Sequence, residues 1–317
     1  MADKRILAVV GATGAQGGGL VRAALADGEF AVRALTRKPD SEKAQALKKA
    51  GADVVSADLD DVESLVRALN GAYGAFFVTN YWEIFSVEKE QQQARNLADA
   101  AKRAGVKHVI WSTLEDTRKD VPLSDDRMPT LMGKYKVPHF DGKGEADNYF
   151  KEVGIPTTFL RASFYWDNFV HFGSGPTRGD DGKLVLTMPM GEKELAGVAA
   201  EDIGGVAYGI FKAGPSLIGK TIGVAGEHLT GKQMAEKMSK VLGEEVTYAP
   251  VTPAQMRSFG FPGADDLGNM FQYYQEFEKE LGEVRDVKRS RELHPNLLNF
   301  DQWLAKYGKQ IPTGAAA

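Results

Sequence analysis

Between Arg5 and Asp27 the chain reads RILAVVGATGAQGGGLVRAALAD, and no other stretch narrows the fold as far. The apolar run 6–10 has no polar alternation, the pattern of a strand buried on both faces. Gly11 stops it, and Leu20, Ala23, Ala24 and Ala26 then recur at helical spacing. The link carries glycines at 11, 14 and 17, a G-x-x-G-x-x-G form of the dinucleotide-binding turn. Gly11 permits the tight turn, Gly14 lets the backbone approach a pyrophosphate, and Gly17 lets the new helix lie close to the sheet. Thr13, Ala15 and Gln16 complete the turn, and the free N–H groups of the helix start suit phosphates. A purely structural glycine turn is the alternative, but the strand before and the helix after favour nucleotide binding.

The pattern then alternates. Strands are expected at 30–36, 53–57, 73–78, 108–112 and 155–161, with helices ending near 50 and over 61–70, 84–104 and 138–153. Asp40 reads as the N-cap of the first of these helices. This order predicts an α/β fold, a Rossmann doubly wound parallel sheet over residues 1–161. Residues 162–317 form a smaller C-terminal α/β lobe interleaved with the end of that sheet. There, strands are expected at 183–188, 220–225 and 245–248, and helices at 201–212, 230–242, 265–281 and 300–307. Another helix starts at Thr252 and Pro253. The charged stretch 114–133 reads as an exposed, mobile loop, and GAAA at 314–317 as a disordered end.

Composition mainly excludes. A net charge of −4 with no basic stripe leaves no nucleic-acid footprint. There is no cysteine, and five scattered histidines lack metal-ligand spacing, so no metal centre is expected. No run has the length of a membrane span and no leader precedes the first strand, so a cytoplasmic protein is expected.

Site candidates follow from the strand ends. The place where an acid would select NAD is held by Thr36 and Arg37, and a guanidinium there suits the 2′-phosphate of NADP(H). A solvated basic turn is the plainer alternative. Asp58 and Leu59 fall beside the adenine, although Asp58 reads equally well as an acid near a helix start. Thr79, Asn80, Tyr81 and Trp82 leave the fourth strand where such sheets bind ligands. Ser112 ends the fifth strand. His139 and Lys143, four apart, share one helical face and one cleft. Asp265, Asp266 and the acids of 276–283 read as solvated helix faces.

GATGAQGG (11–18), TRKPD (36–40), FVTNYWE (77–83), HFDGKGEADNYFKEVGIP (139–156), FYWDN (164–168), SFGFPGADDLGNMF (258–271) and FDQWL (300–304) together resemble the NmrA-like family, an atypical short-chain dehydrogenase group. The HSCARG-type members look nearest. The resemblance implies NADP(H) as ligand, contacted by Gly11, Gly14, Gly17 and their turn, Arg37, Thr79 to Tyr81, Lys143, Tyr165, Trp166 and Asn168. Typical short-chain dehydrogenases pair a strand-five Ser with Tyr and Lys four apart, the Lys binding ribose and lowering the Tyr pKa. Here His139 stands where that Tyr would be, and Tyr135 lies too early to replace it. A further family lysine is replaced by Gln92, with Lys89 one turn earlier as a partial substitute.

Two functions remain open. The resemblance implies a redox sensor of little or no catalysis, in which NADPH level changes oligomeric state, with a homodimer as fold-level expectation, and the binding of a protein partner. The missing Tyr and the charged loop favour this reading, and it leads narrowly. The other is an NADPH-dependent reductase of a small aromatic or quinone-like substrate, lined by Tyr81, Trp82, Phe164, Tyr165 and Trp166. In that reading His139 is the candidate acid and Ser112 and Lys143 complete the set; core packing explains the aromatic cluster equally well.

Overall fold

The computed structural model describes residues 4–314, so of the expected loose end only Gly314 lies within the described residues. Strand β1 (Ile6–Val9) leads into helix α1 (Ala15–Asp27), followed by β2 (Ala31–Thr36), α2 (Glu42–Lys49), β3 (Asp53–Ser56) and α3 (Val62–Leu69). Then come β4 (Ala72–Phe77), the single turn α4 (Tyr81–Ile84), α5 (Val87–Ala104), β5 (His108–Thr113), α6 (Pro138–Glu152) and β6 (Thr157–Arg161). The second half begins with β7 (Phe164–Tyr165), α7 (Asn168–His171), β8 (Thr177–Arg178), β9 (Leu184–Leu186), β10 (Glu194–Val198) and α8 (Ala200–Ala213). After β11 (Thr221–Gly223) and β12 (Glu227–Thr230) it continues with α9 (Gly231–Leu242), β13 (Val246–Tyr248) and α10 (Pro253–Arg257). Helices α11 (Ala264–Glu276), α12 (Glu278–Val284), α13 (Val287–Leu293) and α14 (Phe300–Tyr307) close the chain.

The principal sheet has seven parallel strands in the order β11-β6-β5-β4-β1-β2-β3. Strand order reverses between β1 and β4, which opens a crevice at their carboxyl ends, the usual ligand position in such sheets. This is the Rossmann doubly wound arrangement. Two three-stranded sheets, β12-β10-β7 and β13-β9-β8, belong to the smaller lobe.

Both faces of the large sheet are sealed, as continuous apolar strands require. On one face Leu7, Val9 and Phe76 pack against Leu20 and Val21 of α1 and Ile203, Val206 and Ile210 of α8. On the other, Ala8, Phe77 and Trp111 meet Leu65 of α3, Leu97 of α5 and Phe150 of α6. Helices α1 and α8 approach at glycines. A Cβ on Gly19 would overlap the Glu201 carbonyl, and one on Gly204 the Gln16 carbonyl. The smaller lobe has its own core, built on Trp166, Phe169, Met238, Phe271, Phe300 and Trp303.

Several expectations are corrected. Ser41, not Asp40, caps α2, its Oγ accepting the Ala44 N–H. The helix expected over 84–104 is two, broken where Phe85 takes φ +51° and Ser86 recaps the chain. The helix expected over 265–281 breaks at Phe277. Short β7, β8, β10 and β12 were not foreseen, because two to five residues carry too little alternation to register.

The loop 114–133 is exposed over much of its length but pinned at intervals, not free. Val121 and Met128 are fully buried in the smaller lobe's core. Asp141 Oδ1 accepts from the Thr117 amide (2.8 Å) and hydroxyl (2.6 Å), while its Oδ2 accepts the Lys136 and Val137 amides. Lys136 Nζ donates to the Asp125 and Met128 carbonyls, and Asn269 reaches the Pro129 carbonyl. At the loop's root Arg285 meets Glu115 in a two-pronged pair at 2.7 and 2.9 Å, and its Nε donates to the Ala162 carbonyl at 3.0 Å. Burial opposes charge on Glu115, but Arg285 and Arg161 outweigh it and hold the carboxyl below its ordinary range. Glu115→Gln strands the Arg285 charge in the interior and should lower the urea-derived unfolding free energy by about 3–5 kcal/mol. Replacing both partners by Leu and Met should cost less than Glu115→Gln alone; a larger loss would contradict this account.

Helix α6 is fastened to β5 through Asp147, whose Oδ1 accepts from Thr113 Oγ1 at 2.6 Å and Trp111 Nε1 at 3.1 Å. Burial pushes its carboxyl up from 3.8 to about 6. A raised folded-state value means stability is greatest below the unfolded value and falls as pH rises through the folded one, here by roughly 3 kcal/mol. Asp147→Asn keeps an acceptor for both donors and removes the charge. It should raise the melting temperature at about pH 8 but not at about pH 4; equal shifts at both would overturn the assignment.

Candidate functional site

The crevice at the sheet's switch point is built from the turn after β1, the strand ends of β2, β4 and β5, and one face of α6. Gly11 takes φ +67° with its Cβ position 2.9 Å from Val78 Cγ1, so only glycine makes this turn without strain. Its carbonyl accepts the Gly14 amide at 2.9 Å. Gly14 is the N-cap of α1 and supplies no side-chain acceptor, which leaves the first-turn amides at Ala15, Gln16 and Gly17 facing the crevice mouth. Thr13 is half-buried and Ala15 exposed in the same turn. A helix start of this kind attracts an anion.

Gln16 ties three elements together. Ser112 Oγ donates to its Oε1 at 2.8 Å, and its Nε2 donates to the Tyr165 hydroxyl at 2.5 Å. Burial pushes the Tyr165 phenol up to about 12, so it stays neutral. Ser112, Gln16 and Tyr165 thus come together across the crevice.

At the end of β2 the exposed Arg37 pairs with Glu83 of α4 at 2.7 Å. That hydrogen bond raises the guanidinium's proton affinity, helped by the charge of Glu83 and then of Asp58 and Asp60. Lys89 pairs with Asp60 at 2.8 Å, so it stands among the acids facing Arg37. Gln92 instead turns along its own helix to Asn96, which holds the Leu59 carbonyl at 2.8 Å. Asp58 is exposed, and its Oδ1 accepts the Asp60 amide.

Lys143 is no surface lysine: its side chain is 12% exposed. Nζ donates to the Thr79 carbonyl (2.9 Å), the Thr79 hydroxyl (2.8 Å) and Glu90 Oε1 (2.7 Å). Glu90 is buried, and its Oε2 is an acceptor without a protein partner among the described residues. Asn80 is exposed, while Tyr81 is buried and its phenol is driven upward by burial and by Asp266 and Asp265. One turn before Lys143, the His139 ring lies against Trp82 and Tyr81, with Nδ1 2.7 Å from Asp266 Oδ1.

Other expected residues lie elsewhere. Trp166 is 1% exposed and packs on Phe300 and Trp303, so it lies in the core and not in the crevice. Phe164 is likewise enclosed by Phe169 and Phe271. Asn168 opens α7, and its side chain makes no hydrogen bond among the described residues.

Glu90 and Asp266 escaped the sequence reading. Both had a signal. Glu90 falls on the stripe Val87, Glu90, Ala94, Leu97, Ala101, and Asp266 on the stripe Asp266, Met270, Tyr273, so each acid occupies a core position of its helix. Asp266 is 2% exposed, which corrects its reading as a solvated residue. Among the described residues no helix is long and apolar enough to cross a membrane, and no group of His, Asp and Glu could hold a metal ion.

Residues 3–304 match the NmrA-like family. An NmrA-like family domain-containing protein of Dictyostelium discoideum is 32% identical over 80% of this chain and 82% of its own length. The NmrA-like family domain-containing oxidoreductase malD of Malbranchea aurantiaca is 34% identical over 77% and 75%. Solved structures of NmrA, a negative transcriptional regulator, in complex with NAD and with NADP have TM-scores of 0.78 and 0.76 at 26% identity. They cover 98% of this chain and 95% of theirs. With the family matched along nearly its whole length, the chain belongs to the NmrA-like family.

Proposed function

We propose that the protein is an NADP(H)-dependent reductase of a small aromatic or quinone-like substrate. The observation that carries this reading is the shared face of α6. It holds Lys143 inside the crevice and His139 one turn away at its mouth, beside the glycine turn. A dinucleotide fits the residues present: the uncapped α1 amides suit a pyrophosphate, and the Gly11 turn leaves no side chain in its path. Arg37 suits a 2′-phosphate, because a guanidinium offers several planar donors and a permanent charge. Lys143 and Thr79 suit ribose hydroxyls. When bound, the reduced nicotinamide supplies two electrons and a hydrogen to the substrate. The chain's own part is to orient it through Lys143, to exclude water with Tyr165 and Tyr81, and to deliver a proton. Support also comes from malD, whose name calls it an oxidoreductase.

The sensor reading has two observations in its favour, the absence of a Tyr four residues before Lys143 and the likeness to NmrA, a regulator crystallised with NAD and NADP. Its other support was a free loop over 114–133, and that loop is anchored. Calorimetry should show NADPH bound in preference to NADH. Arg37→Ala should weaken NADPH by about 10- to 100-fold, the worth of one or two charge-assisted hydrogen bonds, and leave NADH nearly unchanged. An unchanged preference would mean that the phosphate lies elsewhere. Oxidation of NADPH with a panel of quinones and triarylmethane dyes decides between the readings. Cofactor-dependent sedimentation without turnover of any of them would favour the sensor.

A further inference from the structure

His139 and Asp266 join the two lobes at the crevice mouth. Beside the 2.7 Å contact from Nδ1 to Oδ1, Asp266 Oδ2 accepts the His139 backbone amide at 3.2 Å. The side chains are 7% and 3% exposed. An ionised carboxylate only accepts, so Nδ1 is the protonated nitrogen and Nε2 the atom left to exchange a proton. Nε2 has no hydrogen-bond partner among the described residues and is not among the fully buried atoms left without one.

Aromatic rings pack against the imidazole. Trp82 and Tyr81 lie 4.8 and 6.0 Å from the imidazole between centroids. Trp82 and Phe85 meet edge to face, and Phe85 is a non-glycine residue in left-handed backbone, a conformation that costs energy and must be held by its surroundings. From the opposite lobe the loop 258–263 closes on this pair. A Cβ on Gly263 would come 2.7 Å from Trp82 and 3.6 Å from Phe85. Phe85 beside Trp82, and Phe259 and Phe261 on the loop that ends at Gly263, are 46%, 48% and 42% exposed.

We propose that Asp266 is the positioning residue for His139, which donates a proton from Nε2 to the oxygen of a flat aromatic carbonyl or quinone that reaches the imidazole beside Trp82. The inference rests on the reductase reading and gives that reading its acid and its substrate class. Electrons and atoms balance as follows. The substrate takes two electrons and one hydrogen from a reduced nicotinamide, which is oxidised. The substrate oxygen takes the proton as the Nε2–H bond breaks, its electron pair stays on Nε2, and solvent restores the proton. Asp266 holds the ring through Nδ1, leaves Nε2 for the substrate, and takes no proton itself. Asp266 of α11 pairs with the imidazole and Tyr81 of α4 lies beside it, while Asp265 of α11 and Glu88 and Glu90 of α5 are the further acids facing that tyrosine, and Lys143 lies one turn along α6, paired with Glu90.

Two measurements test this. Imidazole NMR of the ring-labelled protein without cofactor, with His139→Gln for assignment, should show the Nδ1–H tautomer. Asp266→Asn should change the tautomer balance, and Asp266→Glu should restore it. A His139 with its proton on Nε2, or with the same tautomer balance in Asp266→Asn, overturns the proposal. With an active wild type, Asp266→Asn should lower kcat about 100-fold and flatten its pH profile, with the Kd for NADPH unchanged and partial recovery in Asp266→Glu. Unchanged kcat and pH profile would sink the proposal and leave the reductase reading standing. A wild type that reduces no quinone or aromatic ketone removes the reductase reading itself, and the catalytic use of the pair with it, whatever the NMR shows.

Discussion

Glu115 and Arg285 sit 170 residues apart in sequence and make a buried two-pronged ion pair. Taking both charges out of solvent costs several kcal/mol per ion, so the pair persists only because its geometry is good and its spare donors are used. Arg285 Nε reaches the Ala162 carbonyl just past β6, and Arg161 approaches Glu115 at 3.5 Å. One charge pair therefore fixes the exit of β5, the exit of β6 and the junction between α12 and α13. The crevice lies between what these exits carry, Ser112 on one side and Tyr165 on the other, and Gln16 can bridge them only if both are in place.

The same economy of charge runs through the crevice. Each cation suited to a phosphate or a ribose already has a carboxylate: Arg37 has Glu83, Lys89 has Asp60, and Lys143 has Glu90. The exposed pairs are worth little, and a ligand's anionic groups can displace them at small cost. Lys143 and Glu90 are different. Their pair is buried and shared with Thr79, so Lys143 is held in one pose, and because its three N–H donors are all taken a ribose hydroxyl must replace one of them.

Much of this was legible in the sequence because the principal sheet is made of long-period signals. Apolar strands, glycine stops and N-caps at Asp61, Thr230 and Thr252 locate the elements within a residue or two. The site's backbone parts were legible for the same reason, since the glycine turn and the spacing of His139 and Lys143 are local. What escaped reading is non-local. Whether Trp166 lines a cleft or a core depends on Phe300 and Trp303, more than 130 residues later. Asp266 looked like a solvated acid and Glu90 drew no reading, because what buries each acid lies on another element. Phe85 breaks a helix by a backbone conformation that its side chain does not announce.

The large sheet is completed late. Its edge strand β11 pairs with β6 only after about sixty intervening residues, and α8, which covers α1, is also drawn from the second half. A nascent chain that has left the ribosome only as far as β6 therefore presents an unpaired, apolar parallel edge and a glycine-lined groove on α1 with nothing in it. Such edges template intermolecular pairing. During synthesis this half is an adhesive intermediate that depends on chaperones or on speed, and no truncation before β11 can serve as a minimal nucleotide-binding module.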